Sequence, residues 1–163
     1  EMIEPLCSRS RFLAVNTQMN SGNSGYHAIT RYPRADFVSL NEPEARLATH
    51  NRYDPIEHVA QSLAVQLKTR HFAVTRGTKG VMLFDVEESQ TNKVPALSTK
   101  VLDRVGAGDA FLSFSAMCLG GGLSPDVAAF VGSAAAALDV QIVCNKEPVS
   151  PGNLFKYLGT LLK

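Results

Sequence analysis

The sequence Val101-Leu102-Asp103-Arg104-Val105-Gly106-Ala107-Gly108-Asp109-Ala110-Phe111 decides how the rest of this chain is interpreted. Apolar residues at helical spacing follow it, so the Gly-Ala-Gly turn is predicted to lie at the N-terminus of a helix. A helix N-terminus offers unpaired N–H groups and the positive end of the helix dipole, and glycine lets an anion approach closely. Asp109 would repel a phosphate that is merely bound there. Its position is explained if it takes a proton from a hydroxyl that attacks a phosphoryl group held by the turn.

Length, charge and cysteine content limit the class of protein. The 163 residues are enough for one domain with a core, and the net charge of +1 argues against electrostatic binding to nucleic acid or an anionic membrane. No apolar run reaches the length of a membrane span. Cys7, Cys118 and Cys144 have no Cys-x-x-Cys spacing, so we expect reduced thiols in a cytoplasmic protein rather than a metal site or a disulfide framework.

Strands alternate with helices along most of the sequence. Buried or half-buried strands are predicted at residues 12–15, 35–40, 71–75 and 81–86, with an edge strand at 93–98 and a polar turn at 87–92. Helices are predicted at residues 26–32, from 41, at 55–70, from 107 to the glycines at 120–122, and at 124–140 and 151–162, while residues 1–11 have no clear period. This order predicts an α/β fold with three layers, in which helices cover both faces of a mostly parallel, Rossmann-like sheet.

The loop at residues 18–25 follows the first buried strand and is rich in polar residues and glycine. Open α/β sheets place their ligands at the carboxyl ends of such strands. A flexible surface loop has the same composition, and the sequence leaves both interpretations open.

The segment Asn41-Glu42-Pro43-Glu44 follows the second strand and also has two interpretations. Asn41 is a good helix N-cap, Pro43 suits a first helical turn, and both acids complement the helix dipole. The functional alternative places Asn41 and Glu44 at the ligand-binding edge of the sheet, with Glu44 holding magnesium through water.

The turn Arg76-Gly77-Thr78-Lys79-Gly80 joins two predicted strands. Such a turn is usually only a hairpin, but its glycines, with Thr75 and Lys79, make a nucleotide contact a hypothesis. In the later helix, the run of alanines at 134–137 allows close packing against a neighbour or a flat ligand ring, and packing alone is the simpler interpretation.

These motifs, in this order, resemble the ribokinase-like (PfkB) carbohydrate kinases. Residues 103–111 look like the C-terminal signature of that family, Asn41-x-x-Glu44 is similar to its Asn-x-x-Glu motif, and residues 75–80 are similar to its Thr-x-Gly-x-x-Gly turn. The resemblance covers the chain from about Phe12 to the end. It implies that the chain is the C-terminal, nucleotide-binding portion of the family fold, a single portion over residues 1–163 that lacks the N-terminal substrate and lid half.

The resemblance implies catalytic roles for the glycine turn. Asp109 would be the base for the sugar hydroxyl, and the N–H groups of Gly106, Ala107 and Gly108 would form the anion hole for the transferring phosphoryl group.

The resemblance also implies cofactors, namely ATP and Mg²⁺, with K⁺ as a further hypothesis. Asn41 and Glu44 would organise Mg²⁺ and the phosphates, with Glu44 acting through water. Asp103 would fix the loop and help to hold a monovalent cation. The residues that would line the nucleotide site are Thr75, Gly77 and Gly80.

Two features depart from the family pattern. Arg104 replaces a small hydroxyl residue, so it either reaches a phosphate, as a nucleotide-binding candidate, or blocks the usual loop packing. The chain also starts at Glu1 rather than Met and contains nothing similar to the acceptor-binding half. We therefore expect weak or no turnover from this portion alone, because positioning of the acceptor supplies much of the rate.

The leading hypothesis is ATP-dependent phosphoryl transfer to a sugar or sugar-phosphate hydroxyl. Residues 141–154, with Pro-Val-Ser-Pro at 148–151, are most similar to kinases of the heptose 7-phosphate branch, which serves ADP-heptose synthesis and is often fused to a nucleotidyltransferase. The alternatives are a nucleoside kinase of the same family and a nucleotide-binding module without catalysis. A homodimer stays open.

Overall fold

The computed structural model describes residues 2–19, 22, 25–98 and 100–163, so the predicted loop at 18–25 lies partly outside the described residues. The strands are β1 (Ala14–Val15), β2 (Phe37–Asn41), β3 (His71–Thr75), β4 (Val81–Asp85) and β5 (Gln90–Val94). The helices are α1 (Ile3–Arg9), α2 (Glu42–Thr49), α3 (Ile56–Leu67), α4 (Ala107–Gly120), α5 (Pro125–Asp139) and α6 (Pro151–Leu161). None of these helices is long and apolar enough to cross a bilayer.

The strands form a sheet in the order β1-β2-β3-β4-β5. β2 pairs in parallel with both β1 and β3, with Phe37 opposite Ala14 on one side and His71 on the other. Phe37, Val38 and Phe72 are fully buried, as expected for strands of a parallel sheet covered on both faces. The predicted α/β fold with a mostly parallel sheet is confirmed.

The chain divides into two compact units. The first comprises Glu1–Arg76 and Met82–Thr91, and the second comprises Gly77–Val81 and Asn92–Lys163. The expectation of one nucleotide-binding portion over the whole chain stays a prediction, and each unit is described by itself.

In the first unit, α3 packs its apolar stripe into a core formed with the sheet. Val59, Ala60 and Leu63 of α3 are buried, as the helical period predicts, and they join a cluster that includes Leu40 and Val74. α3 ends at Leu67 because Lys68 adopts a left-handed conformation with φ of 52°.

In the second unit, α4 and α5 pack closely through small residues. The Ser115 hydroxyl donates to the Ala128 carbonyl at 2.9 Å. A Cβ on Gly132 would collide with the Ser115 hydroxyl and press on Phe111, so only glycine fits there. Ala134 and Ala135 are fully buried, and they pack in a cluster with Leu154 of α6. The packing interpretation of the small-residue helix is therefore confirmed.

Three elements differ from the sequence prediction. Residues Ile3–Arg9 form α1, which is too short to show a clear period and buries only Cys7. Within 26–32, only Ile29–Arg31 is helical, as a 3₁₀ turn. The edge strand is Gln90–Val94 rather than 93–98: it includes part of the predicted polar turn, and Pro95 follows its last residue. An exposed polar edge strand lacks the apolar alternation that reveals a strand in sequence.

Candidate active site

The turn before α4 is shaped by Gly106. Its φ of 96° lies in the left-handed region, which glycine adopts at little cost. α4 begins at the next residue, as the sequence predicts, and the Ala110 N–H donates to the Gly106 carbonyl at 2.8 Å. The N-cap position is held by Gly106, which has no side chain to cap the helix. The N–H groups of Ala107 and Gly108 therefore have no acceptor within the helix.

The backbone at Gly108 is open to approach. A Cβ placed there would meet no atom within 4 Å beyond its own helix and chain neighbours. The positive end of the α4 dipole lies at the same place. This combination of accessible N–H groups and positive potential suits a bound anion.

Asp103 braces the loop that leads into the turn. Its Oδ1 accepts the Val105 N–H at 3.0 Å, and its Oδ2 accepts the Cys144 N–H at 2.9 Å. These two backbone hydrogen bonds, the one from Val105 first, hold the pKa of the Asp103 carboxyl below its ordinary range. The Val140 carbonyl accepts the N–H groups of Leu102 and Asp103 at 2.8 and 3.1 Å, so the loop is also tied to the end of α5.

Asp109 lies in the first turn of α4, and its side chain is exposed. Arg104 is exposed as well, two residues before Gly106. The structure thus brings six predicted residues into one loop and helix start, where an exposed carboxylate and an exposed guanidinium accompany the backbone N–H groups of the turn. These six are Asp103, Arg104, Gly106, Ala107, Gly108 and Asp109.

In the first unit, Asn41 and Glu44 form a capping box at the start of α2. The Asn41 Oδ1 accepts the Glu44 N–H at 2.8 Å, and the Glu44 Oε2 accepts the Asn41 N–H at 2.9 Å. The Glu44 Oε1 also accepts the Met19 N–H at 3.3 Å. The N-cap interpretation of Asn41 is confirmed, and Thr75 lies opposite Asn41 in the register of β2 and β3.

In the second unit, Gly77 and Gly80 bound a 3₁₀ turn between β3 and β4. Their φ values are 57° and 79°, and the Gly80 N–H donates to the Gly77 carbonyl at 3.0 Å. A Cβ on Gly80 would collide with the Val94 carbonyl oxygen, so this glycine is required by close backbone approach. The predicted sequence of strand, glycine turn and strand is confirmed.

Glu42 belongs to an ion-pair network that the sequence did not reveal. Its Oε1 accepts from Arg46 at 2.8 Å, and its Oε2 accepts from Arg76 at 3.0 Å. Burial opposes ionisation, but the hydrogen bonds from Arg46 and Arg76, together with the positive charges of both arginines, outweigh it and lower the pKa of Glu42. The Arg46 partner has helical i, i+4 spacing, whereas Arg76 is 34 residues away and leaves no local signal.

Asp139 is a second residue that sequence reasoning missed. It is the last residue of α5, and only 8% of its surface is exposed. Burial first, and then the charges of Asp109 and Asp103, raise the pKa of its carboxyl. The only sequence signal was an acid that directly follows the apolar residues at the end of the helix.

Comparison with known proteins identifies the family. The sequence profile described as pfkB family carbohydrate kinase matches residues 14–144, which include every predicted site residue. This chain belongs to the pfkB family of carbohydrate kinases.

Relatives in this family differ from the chain in length. The bifunctional protein HldE of Geotalea uraniireducens (strain Rf4) is 27% identical over 161 residues, which are 97% of this chain and 32% of that protein. Ribokinase of Thermotoga maritima superposes with a TM-score of 0.75 at 22% identity, over 97% of this chain and 52% of the other. Arabidopsis thaliana ribokinase complexed with ribose and ATP superposes with a TM-score of 0.73 at 22% sequence identity, over 96% of this chain and 50% of the other.

These structural likenesses show the fold alone. The chain spans about a third of the curated relative and about half of the ribokinase chains.

Glu44, the residue predicted to hold Mg²⁺, suits a contact through water better than direct coordination. Mg²⁺ takes six oxygen ligands and usually keeps several waters. Both oxygens of Glu44 already accept backbone N–H groups. Within the described part of the chain, no group of three or more His, Cys, Asp or Glu residues is arranged to hold a metal ion. The water-mediated role of Glu44 and the cation role of Asp103 therefore stay predictions.

Proposed function

We propose that this chain carries the nucleotide-binding and catalytic part of a kinase that transfers a phosphoryl group from ATP to a sugar or sugar-phosphate hydroxyl. The observation that carries the proposal is the left-handed Gly106 turn into α4, with the exposed Asp109 in the first turn of that helix. Membership of the pfkB family supports a carbohydrate as the acceptor class. ATP as the donor is supported by the Arabidopsis ribokinase, which was solved with ribose and ATP.

The proposed step begins at the carboxylate of Asp109. It takes the proton from the acceptor hydroxyl as the hydroxyl oxygen attacks the γ-phosphorus of ATP. The bond between that phosphorus and the oxygen bridging to the β-phosphate breaks, ADP leaves, and the proton remains on Asp109. The N–H groups of Gly106, Ala107 and Gly108 donate to the negative charge on the transferring phosphoryl oxygens.

Asp103 acts in this scheme as a positioning residue. Its two hydrogen bonds, to Val105 and Cys144, fix the backbone of the loop before the turn. A fixed loop keeps the donors aligned before the substrate arrives, so little reorganisation is needed during transfer.

Further nucleotide contacts are proposed from the family motifs. Asn41 and Glu44 would organise the phosphates and Mg²⁺, which when bound neutralises phosphate charge. Thr75, Gly77 and Gly80 would line the nucleotide site, and Arg104 would contact a phosphate.

The acceptor that we propose is a sugar phosphate of the heptose 7-phosphate type. Support comes from the likeness of residues 141–154 to that branch and from the curated relative, which is called bifunctional. A nucleotidyltransferase fused to the natural protein belongs to the same proposal.

The test compares nucleotide binding with turnover. Binding of ATP is measured by calorimetry with the 163-residue chain. Turnover is measured with the longest natural protein that contains it, on a panel of sugars, sugar phosphates and nucleosides. Asp109→Asn is expected to keep binding within about threefold and to lower kcat by about 10² to 10⁴. Asp126→Asn, an exposed acid in the first turn of α5, serves as the matched control.

Unchanged kcat in Asp109→Asn would contradict the role of this carboxylate. Turnover restricted to nucleosides would favour the nucleoside-kinase alternative, and binding without turnover on any acceptor would favour a non-catalytic module. If the chain binds no ATP while circular dichroism shows its helices intact, the anion-binding role of the turn is wrong.

A further inference from the structure

The proposed phosphoryl transfer assigns no role to the buried carboxyl of Asp139. Asp139 is the last residue of α5, and only 8% of its surface is exposed. Among the described residues, its Oδ2 has no hydrogen-bond partner. A buried polar atom that is left without a partner costs stability, which is expected of a group that is kept for a function.

The packing of α4 against α5 places Asp139 at the glycine-turn end of the pair. Ser115 contacts Ala128, and Phe111, earlier in α4, contacts Gly132, later in α5. The two helices are therefore antiparallel, and the end of α5 lies beside the start of α4. The Val140 carbonyl, one residue beyond Asp139, holds the loop that precedes the turn through two backbone hydrogen bonds.

Negative charge surrounds this carboxyl. Burial first, and then the charges of Asp109 on α4 and Asp103 in the loop, raise the pKa of this carboxyl. The C-terminal end of the α5 dipole is negative as well. An ionised Asp139 therefore adds a poorly solvated negative charge close to backbone donors that are suited to an anion.

We propose that the Asp139 carboxylate weakens phosphate binding at the 106–108 turn and thereby sets the nucleotide affinity of this site. This inference rests on the proposed function, because it requires the turn to bind phosphate. Asp139 acts through the electrostatic potential at the turn and makes no contact with the nucleotide. Removing its charge, by substitution or by protonation, relieves the repulsion and tightens binding.

Protonation of Asp139 should then favour nucleotide binding. Burial and the two neighbouring acids raise the pKa of Asp139, so its charge is lost on acidification before that of an ordinary aspartate. By linkage, a bound phosphate also favours protonation of Asp139.

The test measures ADP binding by calorimetry from pH 5 to 8 in magnesium-free buffer. Asp139→Asn keeps the shape of the side chain and removes the charge. At pH 8 it is expected to bind ADP about fivefold more tightly than the wild-type chain. The ratio should shrink toward one as pH falls and the wild-type carboxyl gains its proton, and titration of ADP itself cancels in this ratio. Asp126→Asn, at the opposite end of α5, should match the wild type at every pH.

Asp139→Ala provides a second variant, which should also bind more tightly at pH 8. Equal affinity of the wild type and both variants at pH 8 would overturn the inference and leave the anion-binding role of the turn standing. Weaker binding in both variants would overturn it too, since a purely structural role gives that result. If neither the wild type nor a folded variant binds ADP at any pH, the proposed function fails, and the inference fails with it.

Discussion

Two helix N-termini in this chain are built in opposite ways. At α2, Asn41 and Glu44 exchange hydrogen bonds with each other's backbone N–H groups, so side chains close the terminus. At α4, Gly106 occupies the N-cap position in a left-handed conformation and has no side chain with which to cap the helix. Both segments are followed by an acid in the first helical turn, so composition alone does not distinguish them.

The capped start of α2 serves the stability of the fold, whereas the glycine start of α4 suits the binding of a ligand. A capping box satisfies the N–H groups of its own helix and contributes about 1 kcal/mol to the folded state. An open terminus forgoes that contribution and keeps its N–H groups for a ligand. We therefore expect substitutions at α2 to act mainly on stability and substitutions at α4 to act mainly on nucleotide binding.

Gly106→Ala should have the largest effect, because it forces a side chain into a φ of 96°. The free energy of unfolding should fall by about 1–3 kcal/mol, and ADP affinity should fall by about tenfold or more as the turn relaxes. Urea unfolding and calorimetry measure the two quantities. Wild-type affinity in a folded Gly106→Ala chain would show that the turn geometry is not needed for binding.

Gly108→Ala should lower ADP affinity without lowering the free energy of unfolding. The added methyl group meets no atom within 4 Å, so stability should hold or rise by up to about 1 kcal/mol. ADP affinity should nevertheless fall by about tenfold, because the methyl group stands where a phosphate approaches the backbone. Gly152→Ala, at an equally open helix position in α6, is the matched control and should leave binding unchanged. Equal ADP affinities in Gly108→Ala and Gly152→Ala would contradict the claim that the start of α4 binds phosphate.

Asn41→Ala should mainly lower stability. Loss of the cap is expected to cost about 1 kcal/mol, which corresponds to about 2–4 °C in Tm. Asn41→Asp, which retains a capping oxygen, should restore most of it. In magnesium-free buffer, ADP affinity should change less in either variant than in Gly108→Ala. A larger loss of affinity than in Gly108→Ala would place the principal phosphate contact at α2.

Glu42→Gln should show a small, pH-dependent effect. The Arg46 and Arg76 partners lower the pKa of Glu42 below its ordinary value of 4.5 in the folded chain. Its stabilisation is therefore complete above the unfolded pKa and is lost as pH falls through the folded one. At pH 7 the variant should be about 1 kcal/mol less stable, and the gap should close in acid. The stability of Arg76→Gln and of the double variant with Glu42→Gln tests whether the two residues interact. If the two single losses of stability add fully in the double variant, the Glu42–Arg76 interaction is contradicted.

Features encoded by neighbouring residues could be predicted from the sequence. The start of α4 follows from glycines ahead of an apolar helical pattern, and the Asn41 cap follows from its position before Pro43. The stripe of α3 and the glycine turn between β3 and β4 follow from periodicity and glycine spacing in the same way. Each of these signals lies within one element or one turn.

Features that depend on distant partners could not be predicted. Asp103 binds the Cys144 N–H from 41 residues away, and Arg76 reaches Glu42 across 34 residues. The burial of Asp139 depends on how α5 packs against its neighbours. Such pairings are set by the topology, whereas sequence patterns report only local geometry. The shifted boundary of β5 has a related cause, since an exposed edge strand needs no apolar alternation.

The backbone amides of the two helix starts provide the most direct test of the central claim, that α4 and not α2 has an open, anion-binding N-terminus. ADP is titrated into the ¹⁵N-labelled chain in magnesium-free buffer, and amide chemical shifts are followed by NMR. The account predicts saturable shifts at Gly106, Ala107 and Gly108, with the Glu44 amide, already bonded to Asn41, moving little. Saturable shifts at Glu44 with none at the glycine turn would contradict it.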